Sequence, residues 1–194
     1  VFNQGFRKGA LDKRGFGADD MAKLRPGVIY VSENCYGHEG PWAHRPGYEQ
    51  YSQIISGLAD LQGKLAPSEP NSDARAALGD DPQAPRLVGG AVNDYTTAYF
   101  AAYGVLEALR RRAIEGGSWH VQVSLTQTAM WFQNLGLIEG VTPDTRLGDI
   151  SEFLETHETP YGEMTHLAPA LQMSETQPYW AFGSRPLGSD FPEW

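Results

Sequence analysis

The stretch that decides the fold is LVGGAVNDYTTAYFAAYGVLEALRRRAIEGGSWHVQVSL, residues 87–125. Small and apolar side chains recur in it at the spacing of one helical face, which a globular protein buries. They are Ala98, Ala101, Ala102, Val105, Leu106 and Leu109. After Gly116-Gly117, apolar and polar side chains alternate over residues 120–125, as in a half-buried strand. The stretch therefore predicts a long helix, a tight turn and a strand.

Charged residues mark both ends of this predicted helix. Asp94 lies just ahead of the apolar stripe, where a carboxylate can accept hydrogen bonds from the first free backbone N–H groups. Arg110–Arg112 fall in the last turns, where cations suit the helix C-terminus. From the residues alone, Asp94 is interpreted either as a simple helix cap or as a reactive carboxylate.

The residues ahead of this stretch predict more of the same architecture. The opening segment, residues 1–17, predicts a turn and a short helix, and Pro26 ends a second helix that Asp19 or Asp20 caps. Residues 28–32, VIYVS, form a short apolar run that is typical of a buried parallel strand. Helix followed by strand predicts the α/β class, here part of a Rossmann-like doubly wound parallel sheet with long helices.

Two further helices are expected on either side of the central unit. The first spans residues 48–61 and the second residues 126–137, and both carry apolar side chains at helical spacing. In the first, the predicted buried face consists of Tyr51, Ile54, Ile55 and Leu58.

Two segments predict little regular structure. Residues 64–86 are polar and contain four prolines, which indicates a lid or a mobile excursion. Residues 141–194 are predicted to be an extended C-terminal tail with one short helix over residues 149–155.

Composition excludes several classes of function. The formal net charge of −9 argues against a nucleic-acid surface, since phosphate binding needs clustered Lys and Arg. No apolar run is long enough to span a bilayer, so no membrane contact is expected. The single cysteine, Cys35, excludes an internal disulfide framework and makes a reducing cytoplasm the expected location.

The order of motifs in the central stretch resembles the class III CoA-transferase (CaiB/BaiF) family, and formyl-CoA transferase in particular. The shared features are Gly-x-x-x-x-Asp opening an Ala-rich helix, an Arg-rich helix end, Gly-Gly and His-Val-Gln-Val-Ser-Leu. The resemblance implies that Asp94 is the acyl-accepting nucleophile. A carboxylate is ionised at neutral pH and attacks a thioester without a separate base, because CoA thiolate is a fair leaving group.

The opening residues resemble the family's Asn-Phe-(Arg/Lys)-Pro-Gly segment, which implies contacts with coenzyme A. Phe6, Arg7 and Gly9 match that pattern, whereas Gly5 and Lys8 depart from it. Arg7 keeps the chemistry that pairs with phosphate.

Two loop positions have open interpretations. Arg45 either pairs with CoA phosphates or is a solvated loop residue. Tyr48-Glu49 resembles the Tyr-Glu pair that lines the acyl site of formyl- and oxalyl-type transferases; the alternative is a core Tyr and a Glu favoured by its own helix dipole. The α-methylacyl-CoA racemases of the family carry a His-Asp pair here, so the racemase base is missing, although His44 lies nearby in sequence.

No metal site is expected. The histidines show no ligand spacing with a carboxylate or with Cys35: they are His38, His44, His120, His157 and His166. The resemblance implies coenzyme A as a substrate and no metal.

The resemblance covers most of the chain and sets its expected organisation. Residues 1–140 correspond to the second part of the CoA-transferase α/β domain and residues 141–194 to the C-terminal wrap, with a first CoA-binding half and a small domain absent. We therefore expect a homo-oligomer or a partner half-chain.

The expected function is transfer of CoA from an acyl-CoA thioester to a carboxylic acid through an aspartyl anhydride and an aspartyl-CoA thioester. The alternative is a non-catalytic half that completes the CoA site of another chain. An α-methylacyl-CoA racemase is the third and least supported interpretation.

Overall fold

A computed structural model describes residues 1–65, 81, 83–137, 149–191 and 193. It divides the chain into two units, Val1–Ile138 and Glu139–Trp194. The predicted identity of these parts, a CoA-transferase α/β domain and a C-terminal wrap, stays a prediction.

A three-stranded parallel sheet lies at the centre of the first unit. Its strands are β1 (Phe2–Gln4), β2 (Ile29–Asn34) and β3 (Trp119–Ser124), and β2 lies between the other two. The predicted α/β class with a parallel sheet is confirmed. The short edge strand β1 was not predicted, because three residues carry too little periodicity to be distinguished from a turn.

Helices alternate with these strands along the chain, as is typical of α/β proteins. Their bounds are α1 (Ala18–Leu24), α2 (Glu49–Ile55), α3 (Leu58–Leu65), α4 (Val92–Glu115) and α5 (Leu125–Asn134). Helix α4 is the predicted long helix, and α5 begins directly at the end of β3. The hydroxyl of Ser124 caps α5 by accepting a 3.3 Å hydrogen bond from the Gln127 backbone N–H.

The buried face of α4 differs in part from the predicted stripe. Ala101, Val105 and Leu109 pack against the core cluster of Ile29, Val31 and Ala108, as expected. In contrast, the predicted stripe residues Ala98, Ala102 and Leu106 are exposed, and the fully buried positions near the start of the helix are Asn93 and Thr97. A hydrophobic pattern cannot identify a buried face that is polar at one end.

The predicted helix over residues 48–61 is wrong in extent and, apart from Leu58, which is buried, in its buried face. The chain turns at Gly57, whose φ of 81° lies in the left-handed region that favours glycine, and α2 and α3 form separately. Tyr51, Ile54 and Ile55 are exposed. The α2 side chains that are buried are polar, and they are Glu49, Ser52 and Gln53.

Most of the predicted 64–86 loop lies outside the described residues. The end of that segment is hydrogen-bonded to α3, where the backbone N–H of Arg86 donates to the carbonyl oxygen of Ala59 at 2.8 Å. Within the described residues, no helix is long and apolar enough to cross a membrane.

The second unit contains a β-hairpin where a short helix was predicted. Ser151–Phe153 form a single 3₁₀ turn, and β4 (Leu154–Thr159) pairs antiparallel with β5 (Gly162–Leu167). The predicted helix over residues 149–155 is therefore wrong. The sequence LETHET alternates in polarity and contains two threonines, a pattern that favours a strand over a helix. Residues 168–191 contain no regular element.

Close packing of α4 on β3 depends on Gly104. A Cβ atom built there lies 2.6 Å from Cγ1 of Val121, far inside van der Waals contact. We predict that Gly104→Val lowers the free energy of unfolding by about 1–3 kcal/mol, as overpacking typically does. Thermal or denaturant unfolding measures this change. Ala102→Val, at an exposed position of the same helix, is the control, and equal losses for both variants would contradict the packing argument.

Candidate functional site

Helix α4 begins without a side-chain cap of its own. The N-cap residue is Ala91, which has no oxygen to offer the free backbone N–H groups. Its φ of 49° makes it the one non-glycine residue with positive φ among those that the structure describes. An alanine in this region is strained, so the surrounding structure must hold it there.

Glu49 supplies the missing cap from another helix. Its Oε1 accepts a 3.1 Å hydrogen bond from the backbone N–H of Asn93, and its Oε2 accepts a 3.0 Å hydrogen bond from that of Asp94. The side chain is buried, with 4% of the residue exposed. A buried carboxylate on these N–H groups also complements the positive end of the helix dipole. Glu49 therefore fixes the backbone that carries Asp94.

The segment that precedes α4 is also hydrogen-bonded to α2. Gln53 accepts from the Val88 N–H at 2.7 Å through Oε1 and donates to the Val88 carbonyl at 3.0 Å through Nε2. The same amide donates to Oε1 of Glu49 at 2.6 Å. Residues on either side of Gly89-Gly90 are thus held by neighbouring side chains of one helix.

Asn93 completes this polar contact between helices. Its Nδ2 donates to Oγ of Ser52 at 2.8 Å, and Ser52 donates to the carbonyl oxygen of Glu49 at 2.6 Å. One turn further along α4, the hydroxyls of Thr97 and Thr128 lie 2.7 Å apart and join α4 to α5. Buried polar groups with such partners fix a single arrangement of the helices.

Asp94 is the third residue of α4 and is exposed. The interpretation of Asp94 as the helix cap is wrong, because Ala91 occupies the cap position and Glu49 does the capping. Partial desolvation by the surrounding protein raises the pKa of Asp94, and the negative charge of Glu49 raises it further. A carboxylate with a raised pKa is more basic than an ordinary one.

Glu33 is a third carboxylate that interacts with Asp94, and no local sequence pattern indicated it. It lies near the carboxyl end of β2, and its pKa is raised by burial and by the charge of Asp94. Ligands of open α/β sheets bind outside the carboxyl ends of the strands, which is the signal that points to Glu33.

Two of the predicted CoA contacts lie in one basic cavity. The cavity has a volume of about 610 Å³ and is lined by Phe6, Arg7, Lys8, Ala10, Lys13 and His44. Three of these side chains are cationic at neutral pH, which suits a polyphosphate.

Gly9, the third residue of the predicted CoA segment, borders a second and smaller cavity of about 100 Å³. Phe6 lines both cavities, and Glu33 also lines the smaller one. Glu33 therefore shares a cavity with the opening segment and interacts electrostatically with Asp94.

Arg45 and Tyr48 do not line these cavities. The guanidinium of Arg45 lies over the ring of Trp42, 4.9 Å from its centroid. Tyr48 is exposed and packs edge-on against Tyr51, with ring centroids 4.8 Å apart. Their predicted roles stay predictions, whereas Glu49 and Asp94 are in direct contact through the cap.

Two histidines share the hydroxyl of Ser32, which is buried. Oγ of Ser32 lies 2.8 Å from Nε2 of His38 and 2.7 Å from Nε2 of His120. Burial lowers the pKa of both histidines, and the charge of Lys8 lowers that of His38 further. Because a hydroxyl can both donate and accept, Oγ of Ser32 can bond both rings at once.

The hairpin groups three potential metal ligands that spacing along the chain did not reveal. Ligand atoms of Glu155, His157 and His166 all lie within 4.8 Å of one another. They come together because β4 and β5 pair in a register that sets Glu155 opposite His166. Sequence spacing missed them since His166 joins Glu155 and His157 only through the strand pairing.

Comparison with known proteins gives one consistent family. Residues 1–162 match the model of CoA-transferase family III. The chain is 31% identical over 176 residues to an acetyl-coenzyme A transferase, nodX, of Hypoxylon pulicicidum, covering 86% of this chain and 26% of that protein. It is 31% identical over 133 residues to the acetyl-CoA:oxalate CoA-transferase of Acetobacter aceti, covering 68% of this chain and 30% of that protein.

A solved structure gives the same result. The crystal structure of a CaiB/BaiF family protein from Brucella suis aligns with a TM-score of 0.53 at 25% identity, over 83% of this chain and 40% of that one. The chain spans only about a quarter to a third of the length of the curated relatives named above.

The Glu49 cap predicts a linked change in stability and in the pKa of Asp94. Glu49→Gln replaces one accepting oxygen with an NH₂ group, so one buried N–H loses its partner and the protein is destabilised by about 1–3 kcal/mol. Loss of the negative charge lowers the pKa of Asp94, which an NMR titration of its carboxyl carbon measures. Glu39→Gln, at an exposed position, is the control. An unchanged pKa of Asp94 in Glu49→Gln would contradict this account.

Proposed function

The chain belongs to CoA-transferase family III, and from that premise we propose that it moves CoA between an acyl-CoA thioester and a carboxylic acid. Relatives carry names of this kind, including the acetyl-CoA:oxalate transferase of Acetobacter aceti and a succinyl-CoA:L-malate transferase subunit of Chloroflexus aurantiacus. Their common chemistry is one acyl-CoA donor and one carboxylate acceptor. That pair of substrate classes is what we assign to this chain.

The observation that carries the proposal is the Asp94 carboxylate on a helix end held by Glu49. The two hydrogen bonds from Glu49 fix the backbone of Asn93 and Asp94, so the nucleophile needs little reorganisation before attack. Its raised pKa makes the carboxylate a stronger nucleophile than an ordinary aspartate carboxylate.

The proposed reaction proceeds through two covalent intermediates. A carboxylate oxygen of Asp94 attacks the thioester carbonyl, the C–S bond breaks, and CoA leaves as a thiolate with a mixed anhydride on Asp94. The thiolate then attacks the Asp94 carbonyl, which forms an aspartyl-CoA thioester and releases the donor acid as its carboxylate. The acceptor carboxylate repeats these steps in reverse, takes the CoA and regenerates Asp94.

Two glycines support the proposed attack. Gly89-Gly90 precede the strained Ala91, and a Cβ built on either glycine meets no atom within 4 Å. The open space permits a reacting carbonyl to approach backbone N–H groups, which would stabilise the developing oxyanion.

The CoA phosphates are assigned to the basic cavity of the opening segment. Arg7, Lys8 and Lys13 supply the positive charge, and Phe6 supplies an apolar surface. Gly9 has a φ of 80°, which lets the backbone turn beneath that cavity. Arg45 would add a further contact from the neighbouring loop, and Tyr48 would line the acyl side.

A second polypeptide surface is proposed to cover α4. Tyr95, Tyr99, Tyr103 and Leu106 are each between 64% and 71% exposed and lie on one side of the helix. A contiguous apolar patch of this kind is typical of an interface. We assign it to a second copy of the chain or to a partner half-chain. The proposed location is the cytoplasm, on the ground of the single free thiol of Cys35.

Asp94→Asn is the direct test of the proposed mechanism. The protein, assembled with any partner it requires, should gain covalent mass when given an acyl-CoA, and hydroxylamine should convert Asp94 to a hydroxamate. Asp94→Asn should lose transfer by several orders of magnitude while keeping its stability, because the Glu49 cap uses only the backbone N–H of this residue.

Asp19→Asn, in the exposed first turn of α1, is the matched control and should transfer normally. Near-normal transfer by Asp94→Asn would reject Asp94 as the nucleophile. A chain that completes another subunit's site without forming any adduct would support the structural alternative, and rapid exchange of the substrate α-proton in deuterated water would support the racemase.

The exposed α4 surface predicts association in solution. Sedimentation should show a dimer or larger assembly, and Tyr99→Lys should shift it towards the monomer because it places a charge in the apolar patch. Tyr161→Lys changes an equally exposed tyrosine of the hairpin and should have no such effect. A monomer with a single cooperative unfolding transition would contradict the proposed interface.

A further inference from the structure

The strand register of the hairpin brings three metal-binding side chains to one face. Glu155 and His157 are two residues apart on β4 and therefore point to the same side of the sheet. His166 lies directly opposite Glu155 on β5. Side chains of directly opposed residues are close enough to contact one another. The pleat of β4 and its register with β5 are therefore sufficient to bring these three side chains together.

The distances in the cluster are close to those of a coordination site. Oε1 of Glu155 lies 3.1 Å from Nε2 of His157 and 3.9 Å from Nδ1 of His166. Ligand atoms around a tetrahedral Zn²⁺ are separated by about 3.4 Å, given bonds of about 2.0–2.1 Å. The imidazole rings are stacked, with centroids 4.9 Å apart and planes at 16°. Small rotations of these side chains therefore suffice to converge on one ion.

The surrounding charge favours a cation. The hairpin, residues 154–167, contains three glutamates and no Lys or Arg. In the described part of the second unit, Arg185 is the one cationic Lys or Arg side chain, and it is paired with Asp190 and placed over the ring of Phe182. Its positive charge is already balanced. A divalent ion at the cluster meets a negative local field.

The cluster also has access for a further ligand. His157 borders an open cavity of about 420 Å³ that is otherwise lined by Glu158, Pro160 and residues 181–186 and 189. The three cluster side chains are each between 28% and 30% exposed, so an ion can enter. Two imidazoles and one carboxylate, with a position left for water, form a donor set that zinc and other first-row transition ions accept.

We propose that Glu155, His157 and His166 form a binding site for a divalent transition-metal ion of the Zn²⁺ type. The ion would bind one ligand pair from β4 and one ligand from β5. It would thereby cross-link the two strands of the hairpin. This proposal does not rest on the proposed CoA chemistry.

Coordination through Nδ1 of His166 requires one local change. That nitrogen lies 3.0 Å from the carbonyl oxygen of Leu167, so it carries a proton in this arrangement. Metal binding replaces that hydrogen bond, and the proton moves to Nε2, so that a neutral imidazole binds the ion through Nδ1. The Leu167 carbonyl keeps a partner, because Nε1 of Trp180 donates to it at 3.3 Å.

The test is calorimetric titration of the full chain with Zn²⁺. The expected result is one ion bound per chain and a melting temperature that rises with zinc concentration. His157→Ala and His166→Ala should each weaken binding by at least about 100-fold, the upper range for loss of even an outer partner of a metal ligand. Glu155→Gln should also weaken it, and His44→Ala, at an exposed position outside the hairpin, should leave it unchanged.

A second measurement does not depend on the folding of any variant. Imidazole nitrogen resonances of the unmodified chain should shift with Zn²⁺ at His157 and His166 and stay in place at His38, His44 and His120. Shifts confined to the latter group, no saturable binding, or equal affinity of His157→Ala and the unmodified chain would each overturn the proposal.

Discussion

The hydrogen bonds from Glu49 to the start of α4 are the interaction on which the rest of this structure depends. A helix of 24 residues begins at an alanine that cannot cap it, and two of its first N–H groups would otherwise be buried without partners. Glu49 satisfies both, and it is itself held by Gln53. The pKa of Asp94 is raised by partial desolvation, and the charge of the same carboxylate raises it further, so Glu49 positions the proposed nucleophile and adds to its basicity.

The contact between α2 and α4 is unusual in being made by polar groups. Ser52, Gln53 and Asn93 are fully buried; Asn93 donates to Ser52, and Gln53 is hydrogen-bonded to the backbone of Val88. Apolar residues of α2 such as Ile54 are exposed instead. Polar contacts of this kind add little net stability but penalise every alternative arrangement in which a donor loses its acceptor. The site therefore gains a defined geometry at the expense of apolar burial.

The parts of the fold that were predictable from the sequence are those governed by local periodicity. The 3.6-residue repeat of α4 and the alternation of β3 gave the long helix and the strand, and the order of motifs around Asp94 led to the family. The Glu49 cap was not predictable in this way, because its hydrogen bond to Asp94 joins residues 45 positions apart. The buried face of α2 was also missed, since burial there follows from partners on other elements. The hairpin cluster depends on strand register, which periodicity does not give.

The strand order of the parallel sheet affects how the chain can associate with other polypeptides. β2 is paired on both sides, but among the described residues no strand pairs with the outer edge of β1 or of β3. β3 is six residues long and carries no proline, so its outer edge presents backbone donors and acceptors in the spacing of a ladder. An unpaired edge of this kind is where a strand from another polypeptide can form backbone hydrogen bonds. The outer edge of β3 is therefore a site at which a further strand could extend the sheet.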